Sequence, residues 1–450
     1  MLSVRTLRVV GAFFLAVLGL ALVRPAEAVT IERVTSPGGL TAWLVRDHSI
    51  PVLALSYSFT GGSALDPVGK EGLARWVAGL LTDGAGELDD QAYQEKLEDI
   101  VASVDFSADM DTFSGSLKTL TRHRKEAVEL MRLALTKPRF DTEVVERMRS
   151  RALAALARNE EQPGAIASRT WWKAVFPSHP YGRTTSGTEK SLKDLTIADF
   201  REFMATRLSR DTLSIGAVGD ITPAELGLLL DEAFSGLPAR AARPAVTVPE
   251  ARAEGVGRTI VVRKDVTQSA VVFGQDGLKR DDPDFYAAFV MNYILGGGGF
   301  NSWLLNEVRE KRGLAYSVYS YLSTMEHAGL ILGGTASENR SVAQSLDVVR
   351  DQWRRMHDEG PTQDELNDAK TYLTGSYALQ FTSTSAIARQ LVSIQRENLG
   401  MDYIDRRNTF IEQVTLDDVR RVARRLLDPA RLFVVVVGKP EGLAGAEIGG

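Results

Sequence analysis

This sequence has few of the histidine and cysteine side chains that typically bind a catalytic zinc ion. The 450 residues include five histidines, His48, His123, His179, His327 and His357, and no cysteine. The lack of cysteine excludes disulfides, thiolate nucleophiles, iron–sulfur clusters and cysteine-ligated zinc. No two histidines are four residues apart, the spacing that places a metal-binding pair on one helix face. A metal site would therefore have to be assembled from distant histidines and carboxylates.

The charge balance argues against nucleic acid as a partner. Lys and Arg total 53, Asp and Glu total 58, and the formal net charge is −5. Such a chain has no strong basic field to hold a phosphate backbone. The hydrophobic content of 44% and the charged content of 25% are typical of a globular protein. The length suggests about two to four domains.

Residues 1–28 have the pattern of a secretory signal peptide. Arg5 and Arg8 precede an apolar stretch, Gly11–Val23, and the segment ends in the small-x-small sequence Ala26-Glu27-Ala28. This order of a basic region, a short apolar region and a cleavage site is typical of exported proteins. We expect cleavage after Ala28 and a periplasmic or secreted protein. An uncleaved membrane anchor is the alternative.

The remaining chain divides into two similar halves. An Ala-, Pro- and Arg-rich segment, 237–258, predicts a linker between domains at 29–236 and 259–450. Leu195–Gly219 aligns with Val414–Gly438 without a gap, and 7 of the 25 positions are identical. Each segment begins with Thr followed three residues later by Asp, a helix-start signature, and ends in an apolar run stopped by Gly. This repeat indicates a domain duplication.

The predicted elements favour an α+β fold with two homologous α/β-sandwich halves, each an antiparallel-rich sheet packed with helices. Strands and helices do not alternate strictly, which argues against a doubly wound parallel sheet. Each half is expected to open with two strands and a helix. These are Leu40–Val45, Val52–Phe59 and Gly69–Leu81 in the first half, and Thr259–Val262, Ser269–Phe273 and Pro283–Leu295 in the second.

The segment Gly62–Leu81 resembles the metal-site region of the pitrilysin/insulinase-type zinc peptidases, whose inverted motif is His-x-x-Glu-His on a helix. The similarity extends over almost all of the chain after the signal peptide, through His179–Gly182, Val218–Asp220 and Leu295–Tyr316. The lead-in to the motif is nearly complete, with Gly62, Ser63, Asp66, Pro67, Gly69, Lys70, Gly72, Leu73 and Ala74. The resemblance implies the two-domain fold of that family.

The metal-binding positions depart from the family pattern. Arg75 and Gly79 stand where the family has its two histidines, and Ala78 stands where it has the catalytic glutamate. The third ligand of the family, a glutamate, would fall at Ala154 or Ala155. A guanidinium has no lone pair to donate, and Ala and Gly have no ligating side chain. The resemblance therefore implies no zinc and no other cofactor in this chain.

The second half retains residues that the resemblance marks as functional. Arg309 and Tyr316 fit the family's Arg-x-x-x-x-x-x-Tyr pattern, a pair that lies across the central cavity from the zinc and stabilises the tetrahedral intermediate. Without the resemblance, Arg309 would be read as a solvated helix residue and Tyr316 as a half-buried strand residue.

A run of four glycines precedes this pair. It stands where non-catalytic members of the family have a substrate-entry loop, and it consists of Gly296, Gly297, Gly298 and Gly299. Glycines let a backbone approach a ligand closely or flex as a gate. A helix-terminating turn is the alternative interpretation, and the sequence favours neither.

The resemblance thus implies a non-catalytic subunit of an exported heterodimeric zinc peptidase. Arg309 and Tyr316 would act on peptide substrates in trans, beside the zinc of a paralogous partner subunit. Two alternatives remain at this point. One is a stand-alone pseudopeptidase that binds peptides or serves as a scaffold, and the other is a peptidase with a relocated metal site.

Overall fold

The computed structural model describes residues 30–241, 247–255, 257–443 and 446–448. The predicted signal peptide lies outside these residues. None of the helices among them is both long and apolar enough to span a bilayer.

The first six strands form one mixed sheet, in the order β1-β2-β6-β3-β5-β4. β2 pairs in parallel with β6, whereas β3 runs antiparallel to both β6 and β5. The strands are β1 (Ile31–Thr35), β2 (Thr41–Arg46), β3 (Val52–Thr60), β4 (Ser103–Ala108), β5 (Thr112–Leu120) and β6 (Leu213–Gly219).

The last six strands form a second sheet, in the order β12-β7-β11-β8-β10-β9. Its inner strands have the same connections as the first sheet, with β7 parallel to β11 and β8 antiparallel to both β11 and β10. The strands are β7 (Thr259–Arg263), β8 (Gln268–Asp276), β9 (Ala315–Thr324), β10 (Gly329–Glu338), β11 (Phe433–Gly438) and β12 (Glu447–Ile448). The shared topology is that of a duplicated domain, as the sequence repeat predicts.

Helices cover both sheets. Those of the first half are α1 (Leu73–Leu80), α2 (Asp90–Asp99), α3 (Arg124–Thr136), α4 (Thr142–Glu161), α5 (Pro163–Val175), α6 (Glu189–Asp194), α7 (Ile197–Arg207) and α8 (Pro223–Phe234). Those of the second half are α9 (Phe285–Asn292), α10 (Trp303–Leu305), α11 (Val342–Asp358), α12 (Gln363–Gly375), α13 (Thr384–Arg396), α14 (Tyr403–Gln413) and α15 (Leu416–Leu426). Two π-helical turns, Tyr293–Gly297 and Asn306–Glu310, flank α10.

The repeated helix–strand unit folds alike in the two halves. Thr196 caps α7 and Thr415 caps α15, each by accepting a hydrogen bond from the backbone N–H of the Asp three residues later. The carboxylates of Asp199 and Asp418 accept hydrogen bonds from the backbone N–H groups of these caps, which completes a capping box at each helix. β6 and β11 follow the two helices.

The two halves exchange one helix each. α5 of the first half packs on β8 and β11 of the second sheet, while α13 of the second half packs on β3 and β6 of the first. The central strands of each sheet are consequently covered by helices on both faces. This explains why β11 is a continuous apolar run, Phe433 to Val437, rather than an alternating one.

Two predicted helices begin or end differently in the structure. The first begins at Leu73 rather than Gly69, because residues 67–72 form turns and Asp66 accepts hydrogen bonds from the N–H groups of Gly72, just before the helix, and Ala74 in its first turn. The second is α-helical from Phe285 to Asn292 and continues as a π-helical turn to Gly297. The described part of the predicted linker is bonded to both halves, since the Ala251 N–H donates to the carbonyl of His327 and the Glu254 N–H donates to the carbonyl of Val175.

Candidate functional site

Helix α1 carries the positions where the family motif would lie. Leu73, Val77 and Leu80 face the core of the first half, as the spacing of apolar residues predicts. Ala78 is also buried, whereas Arg75 and Gly79 are exposed. The motif positions therefore include one packing residue and two residues at the surface of the helix.

The side chains at these positions do not fit a zinc ion. The Arg75 guanidinium donates a hydrogen bond of 3.1 Å to Ser186 Oγ. A Cβ atom at Gly79 would lie 2.5 Å from Cε of Met148 on α4, so a histidine there would displace the methionine. Ala155 lies seven residues after Met148 on the same helix, which places the two on one face. None of the four predicted positions, Arg75, Ala78, Gly79 and Ala155, offers a lone pair to a metal.

The histidines do not assemble a metal site elsewhere. In the part of the chain that the structure describes, no group of three or more His, Cys, Asp or Glu side chains is arranged to hold a metal. Each histidine instead has its own neighbour. His48 contacts Asp220, His123 contacts Glu126, His179 contacts the Pro249 carbonyl, His327 contacts Glu250 and His357 contacts Asp358.

Asp66 fixes the start of α1. Its carboxylate accepts hydrogen bonds from the N–H groups of Gly72 and Ala74, at 3.1 and 3.2 Å. Burial disfavours the charged form and raises the pKa of Asp66 to about 7, although the two backbone hydrogen bonds and Arg207 act in the opposite direction.

The Asp66 pKa predicts a pH dependence of stability. The folded state binds the proton more tightly than the unfolded state, where the pKa is near 3.8. The contribution of this group is therefore fully present below about pH 4 and is lost as the pH rises through about 7. Between pH 5 and pH 8, urea unfolding should show a smaller loss of stability for Asp66→Asn than for the wild type. Asp89→Asn, at the exposed start of α2, should lose as much stability between pH 5 and pH 8 as the wild type does. An equal loss in all three proteins would contradict the assignment of this pH dependence to Asp66.

Arg309 and Tyr316 lie next to each other at the surface of the second half. The Arg309 guanidinium carbon lies 4.7 Å from the Tyr316 ring centroid and 5.0 Å from the ring centroid of Phe300. Tyr316 is 80% exposed and Phe300 is 67% exposed. The one ion pair of Arg309 in the described residues is a 3.4 Å contact with the neighbouring Glu310. The Arg309 guanidinium thus lies beside the rings of Phe300 and Tyr316, and both Arg309 and Tyr316 remain accessible.

Tyr316 begins a row of tyrosines along β9, the outer strand of the second sheet. Tyr319 pairs with Gly334 and Tyr321 pairs with Leu332 of β10. Leu332 belongs to the core that α5 of the first half helps to form, so Tyr319 and Tyr321 project from that same sheet face. Both tyrosines are about half exposed.

Most of the predicted glycine loop ends a helix. Gly296 is buried, and a Cβ atom there would collide with Ser320 of β9. Gly297 is the last residue of the π-helical turn. Gly298 caps that turn, because its N–H donates a 2.8 Å hydrogen bond to the carbonyl of Tyr293. A Cβ at Gly298 would lie 2.8 Å from the same carbonyl oxygen, so a side chain does not fit at this position either.

Only the end of the glycine run is open. Gly299 has φ +57° and no atom near the position of a Cβ. Gly296, Gly297 and Gly298 therefore form a helix-terminating turn, as in the alternative interpretation, and Gly299 follows that turn at the surface. A role of the four glycines in substrate entry stays a prediction.

Phe300 is a candidate residue that sequence reasoning missed. It follows Gly299 directly and its ring reaches Arg309. A large apolar residue next to an exposed glycine turn is a signal that could have identified it.

The two candidate regions are separate within the chain. No hydrogen bond or ion pair between described residues joins Arg75 or Gly79 to Arg309 or Tyr316. What the structure brings together is therefore the second-half set alone, Arg309, Tyr316 and the adjoining Phe300.

Comparison with protein families identifies the family of the chain. Residues 43–189 match the family described as Insulinase (Peptidase family M16), and residues 194–373 match the Peptidase M16 inactive domain. The chain belongs to peptidase family M16. Together the two M16 matches cover most of the chain, and the boundary between them at residues 189–194 lies within the first half, before α7 and β6.

Some relatives in family M16 are named as proteases, and one is named as a non-peptidase homolog. The non-peptidase homolog YmxG of Helicobacter pylori is 28% identical over 76% of this chain and 78% of its own length. An uncharacterized zinc protease of Streptomyces coelicolor is 28% identical over 88% of this chain and 87% of its own. The crystal structure of a peptidase M16 inactive domain from Pseudomonas fluorescens is 27% identical, with a TM-score of 0.85, over 93% of this chain and 99% of its own. With its ligand positions lost, this chain is an M16-like pseudopeptidase.

Proposed function

We propose that this chain is the non-catalytic subunit of a heterodimeric M16 zinc peptidase. It would supply Arg309 and Tyr316 to the active site of a paralogous subunit that holds the zinc and the catalytic base. The observation that carries the proposal is the division between the two halves. The first half has lost every metal-binding side chain of the motif, whereas the second half presents an adjacent and exposed guanidinium and phenol.

The chemistry of the pair suits a developing oxyanion. A phenol O–H and a guanidinium N–H can both donate hydrogen bonds to an oxygen that gains negative charge during peptide-bond attack. The Tyr316 hydroxyl has no hydrogen-bond partner among the described residues, and Arg309 has only its exposed pair with Glu310. Both donors are therefore free to bind a substrate held by another chain.

The neighbouring elements support a peptide substrate. Among the described residues β9 is the last strand of the second sheet, and an extended peptide backbone can add to such an edge as a further strand. Gly299 is followed directly by Phe300, whose ring lies against Arg309. In the proposal, a peptide that enters past the glycine run would therefore meet Arg309. The signal-peptide pattern of residues 1–28 adds export to the proposal, so that the complex would act in the periplasm or outside the cell.

The proposal is tested by recovering a tagged chain from its own cells and counting zinc. We expect a complex of two M16 chains that contains one zinc per pair, with the His-x-x-Glu-His motif in the other chain. The tagged chain separated from its partner should hold none. Recovery of a zinc-free chain without an M16 partner would contradict the proposal and favour the stand-alone pseudopeptidase, a peptide-binding or scaffold protein.

A further inference from the structure

A large polar cavity lies between the two halves. Its volume is about 1140 Å³, and it is lined by residues from α4, α5 and α13 and from the turns that follow β4 and β9. The lining combines charged and apolar residues with hydroxyl and amide side chains, which include Asn159, Thr185, Ser214, Ser393 and Asn398. Such a wall suits a polar ligand that accepts and donates many hydrogen bonds.

The acidic groups in the lining are largely occupied. Asp111 accepts hydrogen bonds from the Tyr181 hydroxyl at 2.6 Å and from the N–H of Glu326 at 3.0 Å. Asp109 accepts from Thr112 and from backbone N–H groups of its own turn. Glu397 forms an ion pair with Arg280. The carboxylates of Asp281 and Glu326 are exposed to solvent, where screening weakens their field.

Two cations of the lining have no such partner. Arg169 on α5 and Arg396 at the end of α13 are half-buried, and neither forms an ion pair or side-chain hydrogen bond with another described residue. They come from the two exchanged helices and so from opposite halves of the chain. A half-buried guanidinium without a carboxylate is a favourable place for an incoming anion.

The lost metal site adjoins this cavity and has gained positive charge. Ser186, which accepts the hydrogen bond from Arg75, is itself part of the cavity lining. Arg75 forms no ion pair with a described residue. In the zinc-binding members that the sequence resembles, carboxylates stand at the positions of Ala78 and Ala155. The substitutions remove both of these negative charges and add a permanent cation.

We propose that the cavity and the adjoining Arg75 bind a peptide through its C-terminal carboxylate. The change at the former metal site would thus have turned a site for a cation into a site for an anion. Arg169, Arg396 and Arg75 supply planar donor groups that match a carboxylate, and the hydroxyl and amide wall matches a peptide backbone. The choice of a peptide rests on the proposed function, whereas the choice of an anion rests on the charges alone.

The test is peptide binding to the isolated full-length mature chain, measured by calorimetry and by the fluorescence of the cavity residue Trp172. The probe is an N-acetylated pentapeptide with a free carboxyl terminus, compared with the same peptide as its C-terminal amide. We expect the acid to bind at least about 10-fold more tightly than the amide, because the carboxylate loses its charge-assisted bonds in the amide. Arg75→Ala and Arg169→Ala should each remove most of that difference.

Controls separate binding from folding and from general anion affinity. Arg201→Ala, at an exposed position on α7, should bind like the wild type, and Arg169→Lys should keep a preference for the acid. Equal binding of the acid and the amide would overturn the proposal. So would full binding of the acid by Arg75→Ala and Arg169→Ala, provided that both variants unfold at the wild-type temperature. Equal competition by inorganic phosphate would overturn the assignment to peptides. Because no partner and no turnover are involved, failure here leaves the heterodimer proposal standing.

Discussion

Arg309→Ala and Tyr316→Phe should each lower the turnover of the two-chain peptidase by about 10²- to 10³-fold, the effect of removing one oxyanion donor. The zinc content of the complex should stay unchanged, because neither residue is a metal ligand in the proposal. Tyr316→Phe is the more informative variant. It keeps the ring beside Arg309, 4.7 Å from the guanidinium carbon, and removes only the hydroxyl. The measurement is kcat and KM on a peptide substrate, together with bound zinc.

A matched control lies on the same strand. Tyr319 is half exposed on β9, so Tyr319→Phe removes the hydroxyl of a partly exposed tyrosine three residues away. It should leave kcat near the wild-type value. If Tyr316→Phe and Tyr319→Phe had the same effect, or if both position-309 and position-316 variants kept full turnover, the assignment of this pair would be wrong.

Trp171→Ala should reduce the free energy of unfolding by about 3–5 kcal/mol, the usual cost of truncating a buried tryptophan. Trp171 is fully buried on α5, and its indole N–H donates to the carbonyl of Phe433 in β11 at 3.2 Å. It also lies directly on β8, where a Cβ at Gly274 would come within 2.9 Å of the indole ring. Its loss leaves a cavity at the junction of the two halves and removes the hydrogen bond to the Phe433 carbonyl.

Urea unfolding of the isolated chain measures this effect, with Trp172→Ala as the control. Trp172 is the next residue on α5 but is only half-buried and stacks on Phe176, so its truncation should destabilise the chain less. Similar losses for the two variants would show that the contact between α5 and the second sheet contributes little to stability.

The repeated units were predictable from the sequence because their signals are local. The Thr–Asp pairs at 196/199 and 415/418 specify capping boxes, whose hydrogen bonds form within one turn. The strand predicted at Val52–Phe59 differs from β3 by one residue at its end. The family resemblance rested on such local motifs as well, and the comparisons confirm it. It also located Arg309 and Tyr316, whose contact with each other only the fold could show.

The features that sequence reasoning missed depend on distant parts of the chain. The apolar faces of α5 and α13 look like those of any amphipathic helix, and nothing in their spacing says that each packs on the sheet of the other half. The contact of Met148 with the position of Gly79 is likewise invisible in sequence, because it joins α1 to α4. The tertiary structure also decides whether an Arg side chain has a carboxylate partner. Among the described residues, Arg75 and Arg169 have none.

The most direct test of the proposed heterodimer is the peptidase activity of the mature chain in two states, purified alone and recovered with its M16 partner. We expect no hydrolysis of a broad peptide panel by the chain alone and chelator-sensitive hydrolysis by the complex. Chelator-sensitive hydrolysis by the chain alone would contradict it, since that result would require a metal site that Arg75, Ala78, Gly79 and Ala155 do not provide.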